Sequence, residues 1–369
     1  MALTNMSANQ DEFVLWKKDA IRVFRENLFF KNMMGTDENN VVQLISEPRK
    51  TDTGTKTQIG LIPDLAGNGV VGDNELKGRE EEAEAFFQDI NCDLHRNAIK
   101  TKGRKADRQS MFKVRSHARD LLMRWKANLM DELMILTASG IAYSYNTDGT
   151  ARAGSGDPLT SLDFASDVTA PSSNRHFNYT GSALEAGNTA SITSAYVPKY
   201  GMVVDLMAEA RTRGIKPLRI DGRDHYVYLC HPKHFAALKK DADFRDAIIN
   251  AGARGDKNPV FTGATVTMDG LIIHTNNKVF TTMGAASGSK WGAASAINGT
   301  RSLLMGCQAL AFADITDNMS WDEDTDDFNN RYGIAISNFY GLRKPVYKSR
   351  FDSNTDQDFG ILAVNTYIA

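Results

Sequence analysis

The 369-residue chain has few cysteines, no long apolar run and almost no net charge. Its three cysteines, Cys92, Cys230 and Cys307, are scattered and odd in number, which argues against a disulfide framework and favours a reducing cytoplasm. The opening MALTNMSANQ contains no basic segment and no apolar core, so we predict no signal peptide. No run approaches the ~18 apolar residues of a membrane span. A net charge of −2 argues against a protein whose main task is to coat DNA.

The motifs of common enzyme classes are also missing. The sequence has no Walker loop, no GxSxG, no HExxH and no GxGxxG in a strand–turn–helix context. The DFG at 358–360 stands without the other kinase motifs, so we interpret it as chance. We therefore expect no enzymatic activity and no cofactor.

One cluster of metal-binding residue types keeps an enzymatic alternative open. His225, Cys230, His231 and His234 lie within ten residues of one another. Zinc requires such side chains to converge tetrahedrally. Because 226–230 reads as a strand and Pro232 follows, we expect the side chains to diverge and predict no metal site. A metal-dependent hydrolase using His225, His231 and His234 is kept as an alternative function.

The charged residues are arranged in blocks of opposite sign. From Glu75 to Asp89 there are six acids and two bases, whereas from Arg96 to Lys126 there are eleven bases and two acids. A basic-helix nucleic-acid binder is one explanation. We favour pairing between subunits, since charge complementarity sets register and orientation. The candidate contact residues are Glu80, Glu81, Glu82, Glu84, Arg96, Lys100, Arg104, Lys105, Arg108, Arg115 and Arg119.

Hydrophobic spacing predicts long elements in the first part of the chain. We predict a helix over 10–34 that ends at Gly35, and an extended hairpin over the glycine-punctuated 46–77. One strand is predicted over 86–100, with Phe86, Ile90, Cys92, Leu94 and Ala98 on one face. The clearest pattern is an amphipathic helix over 107–138 that Gly140 closes, a rod of ~48 Å.

The second part of the chain alternates between polar and regular segments. We predict that 145–198, rich in Ser, Gly, Thr and Asn, is a loop-rich insertion with little core of its own. A helix over 199–213 should end at Gly214, and the strand HYVYLCHP should stop at Pro232. A helical segment, further strands and a final strand FGILAVNTYIA follow, which predicts an α+β fold. The acidic run from Asp314 to Asp327 is predicted to be a solvated loop.

This architecture favours a protein that assembles with copies of itself. A long rod, an extended arm and separate charge blocks add interface without enlarging the core, which a compact enzyme does not need.

At this point the sequence resembles the major capsid proteins of tailed bacteriophages, in the N-four-like branch of the Hong Kong 97-type fold. The resemblance rests on FQDINCDLHRNAIKTKGRKADRQSMFKVRSHARDLLMRWKANLMDELMILTASG, on HYVYLCHPKHFAALKKDADFRDAIINAG with NPVFTGATVTMDGLIIHTN, and on RSLLMGCQALAFA, RYGIAISNFYGLRKPVY and DFGILAVNTYIA in that order. An encapsulin-like compartment has the same fold and is the second alternative.

The resemblance implies a division of the chain and a set of partners. Its parts are an N-terminal arm (1–45), an E-loop over an adjacent subunit (46–85), a peripheral domain (86–144) with its spine helix (107–138), an insertion (145–198), an axial domain (199–340) and a C-terminal strand returning to the core (341–369). The implied protein forms pentamers and hexamers of an icosahedral virion shell, made in the host bacterial cytoplasm, around DNA that it does not bind sequence-specifically. Implied partners are neighbouring capsomers, the portal protein, decoration proteins and separate scaffolding, since no fused scaffold precedes the arm. No membrane contact is expected.

Overall fold

The computed structural model describes residues 24, 27–45, 55–61, 69–80, 85–109, 114–154, 156–251, 266–314, 320–328 and 330–369. The predicted α+β class is confirmed: helices pack against two large sheets. Of the candidate contact residues, Glu81, Glu82 and Glu84 lie outside the described residues.

More of the described residues lie in strands than in α-helices. They are β1 (Met34–Gly35), β2 (Val42–Ile45), β3 (Lys56–Leu61), β4 (Phe86–Asn91), β5 (Asp93–Lys100), β6 (His176–Tyr179), β7 (Leu184–Ala186), β8 (Leu218–Ile220), β9 (Arg223–Cys230), β10 (Val266–Met268), β11 (Leu271–Thr275), β12 (Gly299–Met305), β13 (Leu310–Asp314), β14 (Ser320–Asp326), β15 (Arg331–Arg343), β16 (Val346–Ser349), β17 (Thr355–Asp358) and β18 (Ile361–Tyr367).

The α-helices are α1 (Arg104–Gln109), α2 (Val114–Ser139), α3 (Tyr200–Thr212), α4 (Pro232–Lys240) and α5 (Ala242–Ala251). Short 3₁₀ helices span Phe29–Met33, Leu159–Ser161, Asp163–Asp167, Ser173–Arg175, Thr189–Ser191 and Arg350–Asp352. Among the described residues, no helix is long and apolar enough to cross a membrane.

The larger sheet has eight strands and is covered on both faces. Its order is β10-β11-β9-β12-β18-β6-β7, with β8 also paired to β9. Successive side chains of a strand point to opposite faces. On β12, Leu303 packs into one apolar cluster with α2, while Leu304 packs into the other with α3. This explains why β12 is buried throughout.

The smaller sheet has six strands arranged around the long strand β15. β5 pairs with one side of β15, and β13 and β14 pair with successive parts of its other side. The N-terminal half of α2 packs on this sheet, where Leu122 meets Ile334 and Ile336. The C-terminal half of α2 contributes Met130 and Leu133 to the cluster under the larger sheet. The helix therefore joins the two sheets.

The segment 145–198 is loop-rich, as predicted, with two short strands and four 3₁₀ turns, but it also contributes to the core of the larger sheet. β6 inserts between β18 and β7 in the larger sheet. Phe164, Phe177 and Tyr179 are buried. The segment's polar composition hid these few aromatics, each of which packs against residues distant in sequence.

The predicted face of the 86–100 strand is only half right. Ile90 and Cys92 are buried as expected, but the strand breaks at Cys92 into β4 and β5. After the break the parity reverses, so Leu94 is exposed and Ala98 faces outward. A one-residue interruption moves every following side chain to the opposite face.

The two long predicted helices agree with the structure to different extents. Phe24 and Asn27 are helical, but Leu28 is extended and a 3₁₀ turn follows, so the predicted continuation to Met34 is wrong. The Phe29 amide donates instead to the Asp131 carboxylate, 3.1 Å from each oxygen. The remainder of the predicted 10–34 helix lies outside the described residues. The predicted 107–138 helix corresponds to α1 and α2, between which 110–113 are not described.

Two predictions for the later part of the chain do not match the observed sheets. The acidic run is not a loop in its described part, because Ser320–Asp326 forms edge strand β14, whose acids stay exposed. The chain changes from the larger to the smaller sheet between Met305 and Leu310, so 310–340 does not continue the sheet formed by 218–305. Strand pairing over such distances has no local sequence signal.

Replacing Gly140 by Ala is expected to lower the free energy of unfolding by about 2 kcal/mol or more. Gly140 ends α2 with φ +65°, and a Cβ there would lie 2.4 Å from the Thr169 carbonyl oxygen. Gly69 is a matched control, since it has φ +68° and open space around its Cβ position. Gly69→Ala should cost only the backbone strain, about 1 kcal/mol. Equal losses in urea unfolding would contradict the role given to crowding.

Candidate assembly surfaces

Strands β3 and β4 form an antiparallel pair, and β4 lies beyond the 46–77 range in which the sequence predicted a hairpin. The pairing runs from Lys56–Asn91 to Leu61–Phe86. Between them, residues 69–80, here called the arm tip, are exposed except for half-buried Val70. Val71 and Leu76 are 79% and 58% exposed in this otherwise mostly polar segment. The arm tip therefore leaves apolar surface uncovered within the single chain.

The arm tip contains two turns, and the short segment between them has no regular secondary structure. The Asn74 side chain donates to the Val71 carbonyl at 2.6 Å, and the Arg79 amide donates to the Leu76 carbonyl at 3.0 Å. Glu80 is exposed and accepts from the Gly78 amide at 2.6 Å. Residues 74–76 lie between the turns.

The predicted basic residues are mostly on the surface, along β5 and α1. Arg96, Lys100, Arg104, Lys105 and Arg108 are exposed. The side chain of Arg115 lies outside the described residues, and Arg119 is half-buried with its Nε 3.0 Å from Asp120 Oδ1. The sequence block therefore becomes a basic surface running from β5 into α1.

Lys100 has a partner within the chain that the sequence did not indicate. Its Nζ lies 2.5 Å from Asp326 Oδ2 on β14, and the hydrogen bond lowers the pKa of the Asp326 carboxyl. Both side chains are exposed, so the pair contributes little to stability. Part of the basic surface is therefore neutralised within the subunit by the acidic strand.

A cleft beside β5 is a surface feature that the sequence did not predict. It has a volume of about 930 Å³ and is bounded by β5, by α2 and by the 152–162 segment. Its lining includes Trp125 and Leu129 of α2 and Arg96 of β5. No local pattern could indicate it, since its three walls come from separate parts of the chain.

The histidine cluster has structural contacts. His234 is fully buried between the Tyr228 hydroxyl at 3.0 Å and the Thr366 hydroxyl at 2.9 Å. Burial lowers the pKa of His234 to about 3, so the ring is neutral. His231 caps α4 by accepting from the Lys233 amide, and the Cys230 thiol faces the His274 carbonyl. Within the described ranges, no group of three His, Cys, Asp or Glu side chains is arranged to hold a metal.

Comparison with known proteins agrees with a structural role. The family model described as "Phage capsid protein" matches residues 5–369. The chain is 38% identical to the major capsid protein of Pseudomonas phage KPP25 over 364 residues, 97% of this chain and 95% of that protein.

Solved structures show the same fold. The capsid of Ralstonia phage GP4 has a TM-score of 0.76 at 22% identity and covers 93% of this chain and 91% of its own. The capsid of cyanophage Pam1 has a TM-score of 0.70 at 18% identity, with 92% of each chain covered.

These matches confirm the Hong Kong 97-type fold, and they do not favour the encapsulin-like or hydrolase alternatives. The N-four-like branch stays an expectation. The chain belongs to the phage capsid protein family and is a structural shell protein of a tailed-phage virion, a major capsid protein.

Proposed function

We propose that copies of this chain form the pentamers and hexamers of an icosahedral shell around double-stranded DNA, with no enzymatic activity. The observation that carries this is the arm tip, whose apolar Val71 and Leu76 are exposed in the single subunit. A neighbour that covers such side chains stabilises the assembly by about 25 cal/mol for each Å² of apolar surface removed from water. A closed shell supplies that neighbour for every subunit.

The two sheets support an assignment of domains. We infer that the six-stranded sheet with α2 is the peripheral domain, that the eight-stranded sheet is the axial domain, and that 46–85 is the E-loop. The base of that loop, β3 and β4, leads directly into β5 of the six-stranded sheet. The loop therefore leaves the subunit from the peripheral side.

Further partners follow from the shell proposal. A portal protein would occupy one vertex, a separate scaffolding protein would guide assembly, and decoration proteins would bind the outer face. The shell would enclose DNA without sequence-specific contacts. A near-neutral wall suits this task, because a strongly basic wall would hold the DNA and hinder its release.

Electron microscopy of the purified protein tests the proposal, alone and co-expressed with the neighbouring genes. Closed shells, or pentameric and hexameric rings, are expected. A monodisperse monomer under both conditions would overturn self-assembly as the function. Uniform closed shells from the chain alone would exclude the need for a separate scaffold.

Reversing the charge of Glu80, Glu81, Glu82 and Glu84 to Lys is expected to impair shell assembly. We place this acidic block near a neighbour's basic surface, which includes Arg96 and Arg104. Each exposed pair contributes only ~0–1 kcal/mol, but the pairs repeat around the shell. Assembly yield at low and high salt, measured by sedimentation, should show the defect most clearly at low salt.

A control variant carries the same change in net charge elsewhere. Its four reversed acids, all exposed and outside 46–85, are Asp37, Glu38, Glu185 and Asp221. It should assemble like the wild type. If both variants assemble normally, the acidic block is a solvated face.

A further inference from the structure

The two strands that flank the arm tip in the chain, β3 and β4, are here called the arm base. Among the described strands they pair only with each other. A two-stranded hairpin on its own is at best marginally stable in water. The position of the arm base therefore depends on its contacts with the rest of the subunit.

One face of the arm base packs on the six-stranded sheet. Ile59 and Ile90 are buried in one apolar cluster with alanines of β13. At Gly341 of β15 the approach is so close that a Cβ would lie 2.3 Å from the Asn91 carbonyl oxygen. Apolar packing is not directional, so it holds the arm base on the sheet without fixing its rotation.

Gln88 of β4 adds a directional contact with β16. Its side-chain amide donates to the Val346 carbonyl oxygen at 3.0 Å, and its side-chain oxygen accepts from the Val346 amide at 3.0 Å. The side chain thus satisfies both backbone groups of one residue, as a paired strand would. Two such hydrogen bonds to one residue restrict the rotation of the arm base as well as its distance.

Two further contacts tie both strands of the arm base to the same part of the chain. The Tyr347 hydroxyl donates to the Ile59 carbonyl oxygen of β3 at 3.3 Å. The Arg343 guanidinium donates to the Asp89 carbonyl oxygen of β4 and lies 3.1 Å from the buried Asp167 carboxylate. That carboxylate also accepts from the amide of the last residue of β4 at 3.0 Å.

A small rotation of the arm base would be magnified at the arm tip. Ten residues separate Leu61 from Val71, and they span at most ~33 Å. A rotation of ~10° would then move the arm tip by up to ~6 Å, which is more than the length of a hydrogen bond or an apolar contact. Every copy can meet an equivalent neighbour in a closed shell only if its arm base is held in the same way.

We propose that Gln88, Arg343 and Tyr347 are positioning residues that fix the direction in which the arm leaves the subunit. The apolar cluster holds the arm base on the sheet, and the hydrogen bonds of these three side chains set its rotation. The arrangement acts within one subunit, before a neighbour is met. The inference rests on the self-assembly proposed above and adds what prepares the subunit for it.

Hydrogen exchange of the unassembled chain tests the contact directly. Gln88→Leu keeps a similar volume and removes both hydrogen bonds to Val346. The amides of β3 and β4 should then exchange about tenfold faster, as expected for the loss of two hydrogen bonds of ordinary net strength. The other strands of the six-stranded sheet should exchange as in the wild type.

Gln58→Leu is the matched control. The Gln58 side chain is exposed on β3 and donates to the Asp89 side chain at 2.7 Å, so its contact stays within the arm base. Its removal should change the exchange of β3 and β4 far less. Unchanged exchange in Gln88→Leu, or equal acceleration in both leucine variants, would overturn the inference.

Gln88→Glu separates hydrogen bonding from packing. Glutamate has nearly the same shape and can still accept from the Val346 amide, but at pH 7 it sets a carboxylate oxygen against the Val346 carbonyl oxygen. Faster exchange of β3 and β4 is expected in this variant as well. Exchange equal to that of the wild type would show that Gln88 only fills space.

Tyr347→Phe decides the matter if the Gln88 variants do not fold. It removes the hydrogen bond to Ile59 and keeps the ring, which lies 5.6 Å from the Phe359 ring. Faster exchange confined to β3 and β4 is expected, and unchanged exchange would contradict the role given to Tyr347.

Electron microscopy of the same variants measures the consequence for assembly. The wild type and Gln58→Leu should form uniform shells, whereas Gln88→Leu should form open particles or particles of mixed size. Uniform shells from Gln88→Leu, despite faster exchange of β3 and β4, would overturn the positioning role and leave the shell function standing. Absence of shells from the wild type would instead overturn the function itself.

Discussion

Replacing Asp352 by Ala is expected to lower the free energy of unfolding by about 3–5 kcal/mol. The Asp352 carboxylate lies 2.7 Å from Arg175 Nη1 and 3.0 Å from Arg213 Nη1. The side chains of Arg175 and Asp352 are 3% and 4% exposed. Removing the carboxylate leaves the buried Arg175 guanidinium without its paired counter-charge and only the weaker influence of Asp358, which costs far more than an exposed pair contributes.

The Asp352 pairs also hold distant parts of the chain together. Arg175 belongs to the 3₁₀ turn before β6, and Arg213 follows α3. The Ser349 hydroxyl donates to the same carboxylate at 2.8 Å. Asp352→Ala should therefore loosen the 145–198 segment, as well as lowering overall stability.

Urea unfolding of the unassembled chain measures this effect. Asp356→Ala is the matched control, because Asp356 is exposed on the nearby β17. The control should stay within about 0.5 kcal/mol of the wild type. A loss of the same small size for Asp352→Ala would show that the buried network does not stabilise the fold.

Replacing Lys126 by Met is expected to raise the free energy of unfolding at pH 7 by on the order of 3 kcal/mol. Lys126 is 2% exposed, and its Nζ lies 4.0 Å from the centre of the Tyr340 ring. Among the described residues, that Nζ has no hydrogen-bond partner. Burial lowers the pKa of Lys126 to about 7, although nearby Asp314 acts in the opposite direction. Methionine fills similar space without a charge to desolvate.

The same lysine makes stability depend on pH in a defined window. Its folded pKa of about 7 lies below its ordinary value of 10.5. Between these values the unfolded chain binds a proton that the folded chain does not, so stability rises with pH. From pH 7 to pH 9 the free energy of unfolding rises by about 2 kcal/mol. Below pH 7 the full cost of burying Lys126 remains. Lys126→Met should lack this rise.

Denaturant unfolding at several pH values checks both statements. His95, which faces Lys126, has its pKa lowered to about 4, chiefly by burial, so it titrates below the window. Subtracting the pH dependence of the free energy of unfolding of Lys126→Met from that of the wild type leaves the contribution of Lys126. Two results would contradict a destabilising buried charge at Lys126. One is a variant less stable than the wild type, and the other is the same change in free energy of unfolding between pH 7 and pH 9 for both proteins.

Local signals were sufficient for several elements. The end of α2 at Gly140, the end of α3 before Gly214 and the stop of β9 before Pro232 all match their predictions. Each of these ends depends on one residue. Glycine adopts the positive φ that ends α2 and α3, and Pro232 has a fixed φ that suits the first position of the next helix, α4. The last strand, β18, was equally clear, because its apolar run from Ile361 to Val364 must be covered on both faces.

The sequence predicted which charged residues form the candidate contact surface, but not how the fold arranges them. The sequence showed an acidic block and a basic block, and the described basic residues do lie largely on the surface. It did not show that Lys100 pairs with Asp326, nor that Arg96 borders a cleft. Both depend on strands and helices from separate parts of the chain.

By itself, the sequence determined the chain's local elements, its charge blocks and the absence of recognisable catalytic motifs. Only the tertiary structure decided that β6 completes the larger sheet, that β5 reverses its faces after Cys92, and that Asp352 lies between two arginines. Turns and helix ends follow from the backbone preferences of neighbouring residues. Strand partners, buried ion pairs and clefts are selected by the packing of segments far apart in the chain, which no short stretch of sequence encodes.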